Sequence, residues 1–230
     1  MKTDSSLSYT SPLTETKQSQ AYRQLKNLII TGVLPENQLL IERKLSESLG
    51  ISRTPIRAAL NDLCAEGLIV NYPGKGMMVA PITIEDVVEI YQMRFILDEM
   101  AFRMVLENND PKIIKEMHEH TEQMKKHIDA GKFLNCIEHD MAFHDCYYLN
   151  IRNQRLSRIL LSLRDQIKRF LHYTADDQAR IPLTYKEHKS IMDAVNEGNT
   201  DESCRRLVYH LQQARDYHLN RIQNVLSFGN

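Results

Sequence analysis

The chain has 230 residues, 42% of them hydrophobic and 26% charged, with a formal net charge of −1. That length holds one large domain or two ordinary ones, and that composition excludes a disordered or fibrous chain and reads as a soluble globular protein. Apolar runs are short, such as Leu39-Leu40-Ile41, which excludes a membrane span.

Met1 to Thr16 is rich in Ser and Thr and lacks the apolar centre of a secretion signal, so residues 1–16 are expected to be a flexible arm. Gln18 to Thr31 places Tyr22, Leu25, Leu28 and Ile29 at helical spacing, and Gly32 stops the pattern. A second short helix is expected from about Ile41 to Leu49, ended by Gly50. Ser52 suits the N-cap of a third, which runs to about Glu66 with Ile56, Leu60 and Leu63 on one face. Leu68-Ile69-Val70 and Met77-Met78-Val79 are β-prone and flank the turn sequence Asn71 to Gly76, so they read as a hairpin. Three helices and a hairpin over residues 17–80 make the plan of a winged helix-turn-helix.

A linker over residues 81–84 leads into a segment, 85–226, with helical patterning almost throughout. The expected helices run from Thr83-Ile84 to about Glu107, from Asn109-Asp110-Pro111 to about Ala130, from about Asn135 to Leu149, from Gln154 to about Tyr173, from a capping box at Thr184-x-x-Glu187 to Gly198, and from Asp201 to about Val225. Six helices with short connections pack most naturally as an antiparallel bundle. The fold class expected is therefore mainly α: a winged helix-turn-helix with a β-hairpin wing, then an all-α helical bundle. Cys64, Cys136, Cys146 and Cys204 form no CxxC pair and read as reduced core residues of a cytoplasmic protein.

Charge is divided between the two halves. Residues 17–80 carry 8 basic and 5 acidic side chains, whereas residues 81–230 carry 20 basic and 23 acidic ones. A basic N-terminal segment joined to an acidic one fits a division of labour between DNA binding and another task. The stretch Glu42 to Leu60 refines this. A tight turn at Gly50-Ile51-Ser52 separates two short helices, and the second places Arg53, Thr54 and Arg57 in its first turns, with Pro55 tolerated near its start. A recognition helix needs this layout, because its N-terminal residues enter the major groove and an arginine fork binds a guanine edge or a phosphate bidentately. Without the surrounding pattern, a surface helix with solvated arginines would be the simpler reading.

The surrounding pattern closely resembles the GntR family of bacterial transcription regulators. It runs Glu42-Arg43, Leu45-Ser46, Leu49-Gly50-Ile51-Ser52-Arg53-Thr54-Pro55-Ile56-Arg57, Ala59-Leu60, Leu63 and Glu66-Gly67-Leu68, with Gly74-x-Gly76 in the wing. It departs at Ala58, where the family usually has Glu, and at Glu36, where Gly commonly follows the proline. The resemblance implies DNA contacts from Arg43, Ser52, Arg53, Thr54 and Arg57, and a wing approach through Gly74, Lys75 and Gly76.

From about Thr83 to His218 the chain resembles the FCD ligand-binding domain of the FadR subfamily. The anchors are Asp140-x-x-Phe143-His144, Asn153 with Leu156, Glu187-His188-x-x-Ile191 with Ala194, and His210-Leu211. Asp140 and His144 are four apart and share a helix face, while His188 and His210 lie on two other helices. Three imidazoles and a carboxylate suit a divalent first-row ion, Zn or Ni foremost. Taken alone, an Asp-x-x-x-His pair is usually only a helix face; the resemblance is what groups the four as a metal set. His118, His120, His127, His139, His172 and His218 match no family position and read as surface or packing residues. Tyr91, Arg94, Asp98 and Ala101 share one face, so Arg94 either clamps an effector carboxylate or pairs with Asp98. Met93, Met100, Met104, Met117 and Met124 read as core.

The function implied is a homodimeric regulator, a repressor by preference, that binds a pseudo-palindromic double-stranded DNA operator. A small organic acid held at the metal site would modulate it, with no membrane involved and no enzymatic activity. The alternatives are a metal-dependent hydrolase fused to a DNA-binding module, a sensor of the metal itself, and an acyl-CoA effector, against which the intact Asp/His set speaks.

Overall fold

The computed structural model describes residues 16–171 and 178–228, with side chains to residue 224. The expected N-terminal arm, all but Thr16, and His172 lie outside the described residues. Contacts divide the chain into two compact units that part between Ala80 and Pro81, with residues 30–36 grouped with the second.

The first unit contains α1 (Lys17–Ile30), α2 (Glu42–Leu49), α3 (Arg53–Ala65), β1 (Ile69–Tyr72) and β2 (Gly76–Val79). Ala21, Leu25 and Ile29 of α1 and Ile56, Ala59, Leu60 and Leu63 of α3 are buried, as their helical spacing requires. Polar contacts tie α1 to the far end of α3. Lys26 Nζ donates to Glu66 Oε2 at 2.8 Å, Gln18 donates to Asp62 at 2.9 Å, and the Tyr22 hydroxyl donates to Glu66 Oε1. Gly50 closes α2 in the left-handed region at φ 65°, where a Cβ costs roughly 1–2 kcal/mol. This turn sets the angle at which α3 leaves. Ser52 occupies the N-cap position of α3 with extended backbone, but its hydroxyl makes no capping bond.

β1 and β2 pair antiparallel with Ile69 opposite Val79 and Tyr72 opposite Gly76. The connecting turn is therefore tighter than the sequence suggests, only Pro73-Gly74-Lys75, and Gly74 and Gly76 both adopt positive φ. The outer edge of β2 is also covered. Asn37 N donates to Val79 O at 3.0 Å, Leu40 N donates to Met77 O at 2.8 Å, and Leu39 bridges Met78. That third segment was not anticipated, because four residues after a proline carry no alternation long enough to read.

The second unit contains α4 (Ile84–Asn108), α5 (Pro111–Asp129), α6 (Phe133–Tyr148), α7 (Gln154–Leu171), α8 (Arg180–Asn196) and α9 (Thr200–Phe228). Several ends are fixed by the residues that mark them in the sequence. Thr83 and Asp86 form a reciprocal capping box, with bonds of 3.0 and 2.8 Å. Asp110 caps α5 with Pro111 at its first position, and the Asn153 side chain accepts from the first backbone N–H groups of α7 at 3.1 and 3.2 Å. α4 packs on α9, α5 on α6, and α8 on α9. Tyr91, Phe102, Met117, Phe143, Tyr147, Leu160, Phe170, Ile191 and Leu207 fill the space between them.

Two expectations are corrected here. Thr184-x-x-Glu187 is not a capping box. α8 starts at Arg180, because Pro182 stands in the first turn, where no backbone N–H is required. Thr184 Oγ1 instead donates to Arg180 O at 3.3 Å, and Glu187 is freed for side-chain partners. Met93 and Met100 are not core either. They lie 46% and 50% exposed, with Ile96 at 70% between them, on the face of α4 opposite Tyr91, Arg94 and Asp98. Met117 and Met124 are fully buried, as expected.

Candidate functional site

The helix-turn-helix leaves its polar residues outward. Ser52, Arg53, Thr54 and Arg57 of the turn and α3, Arg43 of α2, and Gly74, Lys75 and Gly76 of the wing are all exposed. The arginines are not simply solvated. Glu42 receives Arg57 Nε at 2.7 Å and Arg57 Nη2 at 2.8 Å, and Arg53 stands 3.6 Å from the same carboxylate. One carboxylate on α2 thus holds the Arg57 fork in a fixed plane and fixes the rotamer of Arg53 less tightly.

In the helical unit, Asp140 and His144 of α6, His188 of α8 and His210 of α9 come together, and their ligand atoms all lie within 4.8 Å of one another. All three imidazoles are buried, and Phe143 packs on the His188 ring at 4.3 Å between centroids. Protonation is set by the outer partners. His210 Nδ1 lies 2.8 Å from Glu187 Oε2, so it carries the proton. The Tyr147 hydroxyl donates to Asp98 Oδ1 at 2.5 Å and therefore accepts from His144 Nδ1 at 2.6 Å. Both Nε2 atoms are then bare. They face each other at 3.3 Å, and two imidazole lone pairs that close repel unless a cation lies between them.

The other two ligands complete the pattern. Asp140 Oδ1 and His188 Nε2 approach to 2.9 Å but off the axis of a hydrogen bond, and neither has a hydrogen-bond partner among the described residues. Ligands about 2.0–2.1 Å from a common ion are separated by roughly 2.9–3.4 Å at adjacent positions. The observed 2.9 and 3.3 Å fall in that range, so the residues present fit a divalent ion.

Electrostatics point the same way. Burial, reinforced by Arg94, pushes His144 well below the usual imidazole range, and burial followed by His188 lowers His210. Burial works to raise the Asp140 carboxyl, but contact with His188 outweighs it and holds the group low. Asp140 is therefore held as the anionic carboxylate and His144 and His210 as neutral imidazoles, the forms that ligate metal.

A cavity of about 80 Å³ opens beside this set and is lined by Asp140, His144, His210, Arg94, Tyr148 and His218, among others. Arg94 does pair with Asp98, at 3.2 and 3.3 Å, and also donates to the Tyr148 hydroxyl at 3.1 Å. Asp98 is a buried hub that also accepts from Tyr147 and Tyr148. Sequence reasoning missed this hub, the Glu187 contact to His210, and His218, whose Nδ1 lies 3.1 Å from the Tyr91 hydroxyl in the cavity wall. The Glu187-His188 dipeptide was legible as a motif. The role of its glutamate was not, because the partner is 23 residues away.

Burial, then Arg94, drives His218 down to about 3. The unfolded chain takes up this proton below about pH 6.5 and the folded chain does not, so acidification favours unfolding. Stability is expected to fall by about 1.4 kcal/mol per pH unit from this group between pH 6.5 and its folded value. Denaturant midpoints of chelator-treated protein at pH 7 and pH 5 check it. The acid loss should shrink by about 2 kcal/mol in His218→Gln, and an unchanged loss would contradict the assignment.

A DNA-reading unit joined to a helical unit with a buried ligand set defines a bacterial transcriptional regulator. Residues 17–79 match the bacterial regulatory proteins of the gntR family, and residues 89–213 match the FCD domain. The chain belongs to the gntR family of regulators whose second domain is FCD, a family of transcriptional regulators and not of enzymes. It is 28% identical over 213 residues to the uncharacterized HTH-type transcriptional regulator YdhC of Bacillus subtilis, covering 91% of this chain and 92% of that protein. It is 27% identical over 173 residues to the gluconate operon transcriptional repressor of Bacillus licheniformis, covering 74% and 69%. Its fold matches that of McbR/YncC of E. coli with a TM-score of 0.76 at 22% identity, over 90% of this chain and 99% of that one. Among the described residues, no helix is long and apolar enough to cross a membrane.

Proposed function

We propose that this regulator is a cytoplasmic, metal-dependent sensor of a small organic acid, which releases or modulates its hold on a pseudo-palindromic operator. The observation that carries the reading is the pair of bare Nε2 atoms, held face to face by Glu187 and Tyr147 beside a cavity that Arg94 enters. Asp140, His144, His188 and His210 hold the ion, with zinc or nickel the best matches to a histidine and carboxylate set. The bound ion supplies a Lewis-acid position for a carboxylate. Arg94 offers a charged fork to the same ligand, drawing on a guanidinium that Asp98 and Tyr148 keep oriented. The small cavity favours an effector of few heavy atoms, and one relative represses an operon named for gluconate, itself a carboxylate.

Arg43, Ser52, Arg53, Thr54 and Arg57 read the operator, while Gly74, Lys75 and Gly76 approach its backbone. Repression is the mode that the repressor relatives favour. The active species is a homodimer. The exposed Met93–Ile96–Met100 stripe on α4 supplies an apolar face of the kind subunit contacts cover, and paired half-sites need paired reading heads.

The test uses an operator selected from a random-sequence DNA pool with the metal-loaded full chain. A selected operator is expected to show two half-sites about one helical turn, or a multiple of it, apart. Its affinity should change about 5–150-fold with one member of a panel of small carboxylates, and Arg94→Ala should abolish that response while keeping the metal. Operator affinity that ignores every carboxylate but follows free metal would replace this reading with that of a metal sensor.

A further inference from the structure

A second group of histidines lies outside the core set. His120 and His127 are seven residues apart on α5 and share a face, and His139 of the neighbouring α6 stands between them. All three are half-buried and reachable from solvent. His120 Nδ1 and His139 Nδ1 lie 3.1 Å apart, and the His127 ring stacks on His139 with centroids 5.2 Å apart and planes 17° from parallel. None of the three takes a carboxylate partner in the described hydrogen bonds; imidazole meets imidazole. His118 belongs elsewhere, since its Nε2 is bound to Asn196 on α8 at 2.7 Å.

We propose that His120, His127 and His139 form a second, surface site for a first-row divalent cation held by imidazole nitrogens alone. The His120–His139 separation of 3.1 Å already falls within the roughly 2.9–3.4 Å that adjacent ligands keep around one ion. An ion there replaces the lone N–H···N contact by two bonds. His127 supplies the third nitrogen. Two helix turns set its Cα about 10.5 Å from that of His120 along the axis, a span that two imidazole side chains bridge when the ion sits midway, beside His139. Its ring turns edge-on from the present stack to reach that point. Neutral imidazole favours Cu²⁺, Ni²⁺ and Zn²⁺ over Mg²⁺ and Ca²⁺, and the affinity order puts Cu²⁺ first. The site is independent of the core set. His139 faces outward from α6, its neighbour Asp140 faces the cavity, and no ligand is shared.

The experiment titrates the full-length chain with Cu²⁺ and separately with Zn²⁺, and compares it with His120→Asn/His127→Asn, which leaves every core ligand in place. Wild type should take up one ion per chain more than the double variant with either metal. That difference of one holds whether or not the core set binds, so failure of the metal reading in the cavity and failure of this one are distinguishable. The extra Cu²⁺ equivalent should show nitrogen superhyperfine splitting in its electron paramagnetic resonance spectrum, absent from the variant. Equal stoichiometry in the two proteins, or an extra equivalent without nitrogen coupling, overturns the proposal.

Discussion

Wild-type chain purified without chelators is expected to carry one divalent ion per chain more than an Asp140→Ala/His144→Ala variant, by elemental analysis. Both substitutions lie on α6, so one helix loses half the ligand set while His188 and His210 remain. Loss of a single outer partner typically weakens such sites about 10–100-fold, and loss of two direct ligands exceeds that by far. The variant should still fold. Asp140 is the most exposed of the four, and the Tyr147 hydroxyl that His144 contacts keeps its bond to Asp98. Removing the lone-pair repulsion between His144 and His210 also favours the apo fold. Near-UV circular dichroism separates loss of metal from loss of structure. Equal metal content in wild type and variant even after reloading would mean that these histidines bind the organic ligand directly, and the metal assignment would be withdrawn.

The second large effect is expected at the reading helix. Arg53→Ala or Arg57→Ala should weaken operator binding about 5–150-fold each, with the fold intact, if each guanidinium makes a bidentate base contact worth about 1–3 kcal/mol. Both side chains are more than half exposed, so neither truncation opens a cavity. Fluorescence anisotropy on the selected operator and on a scrambled duplex checks both terms. A base contact predicts that operator affinity falls more than scrambled-DNA affinity, whereas a phosphate contact lowers the two together. Normal operator binding by both variants would remove α3 from the reading role.

Much of this fold is legible in the sequence because its elements are punctuated. Gly50, Thr83 with Asp86, and Asp110 with Pro111 each mark a helix end, and the structure uses each of them there. The capping-box pattern at Thr184 failed for a physical reason: the same residue spacing also puts Glu187 two turns beyond Arg180, and the ion pair won. The exposed stripe on α4 was hidden because that helix is apolar on nearly all sides, so periodicity could not say which side faces water. Asp140, His144, His188 and His210 were grouped by motif rather than by periodicity, and the structure brings them together. What holds them was not legible. Tyr147 lies three residues from His144, but it is oriented by Asp98 across 49 residues and Glu187 reaches His210 across 23, and no local pattern encodes such encounters.

Glu42 gives the reading surface a property that a bare row of arginines would lack. A carboxylate fixed among cations repels the phosphates of any duplex, so it taxes every encounter alike, whatever the sequence. Only a site that offers Arg57 and Arg53 better partners than Glu42 recovers that loss. A genome presents on the order of 10⁶–10⁹ competing sites, and a regulator that binds all of them weakly well is sequestered by them. On the proposed reading, this single acidic side chain shortens the dwell time on bulk chromosome more than on the operator. The regulator then gains occupancy of its target by being a poorer binder of everything else.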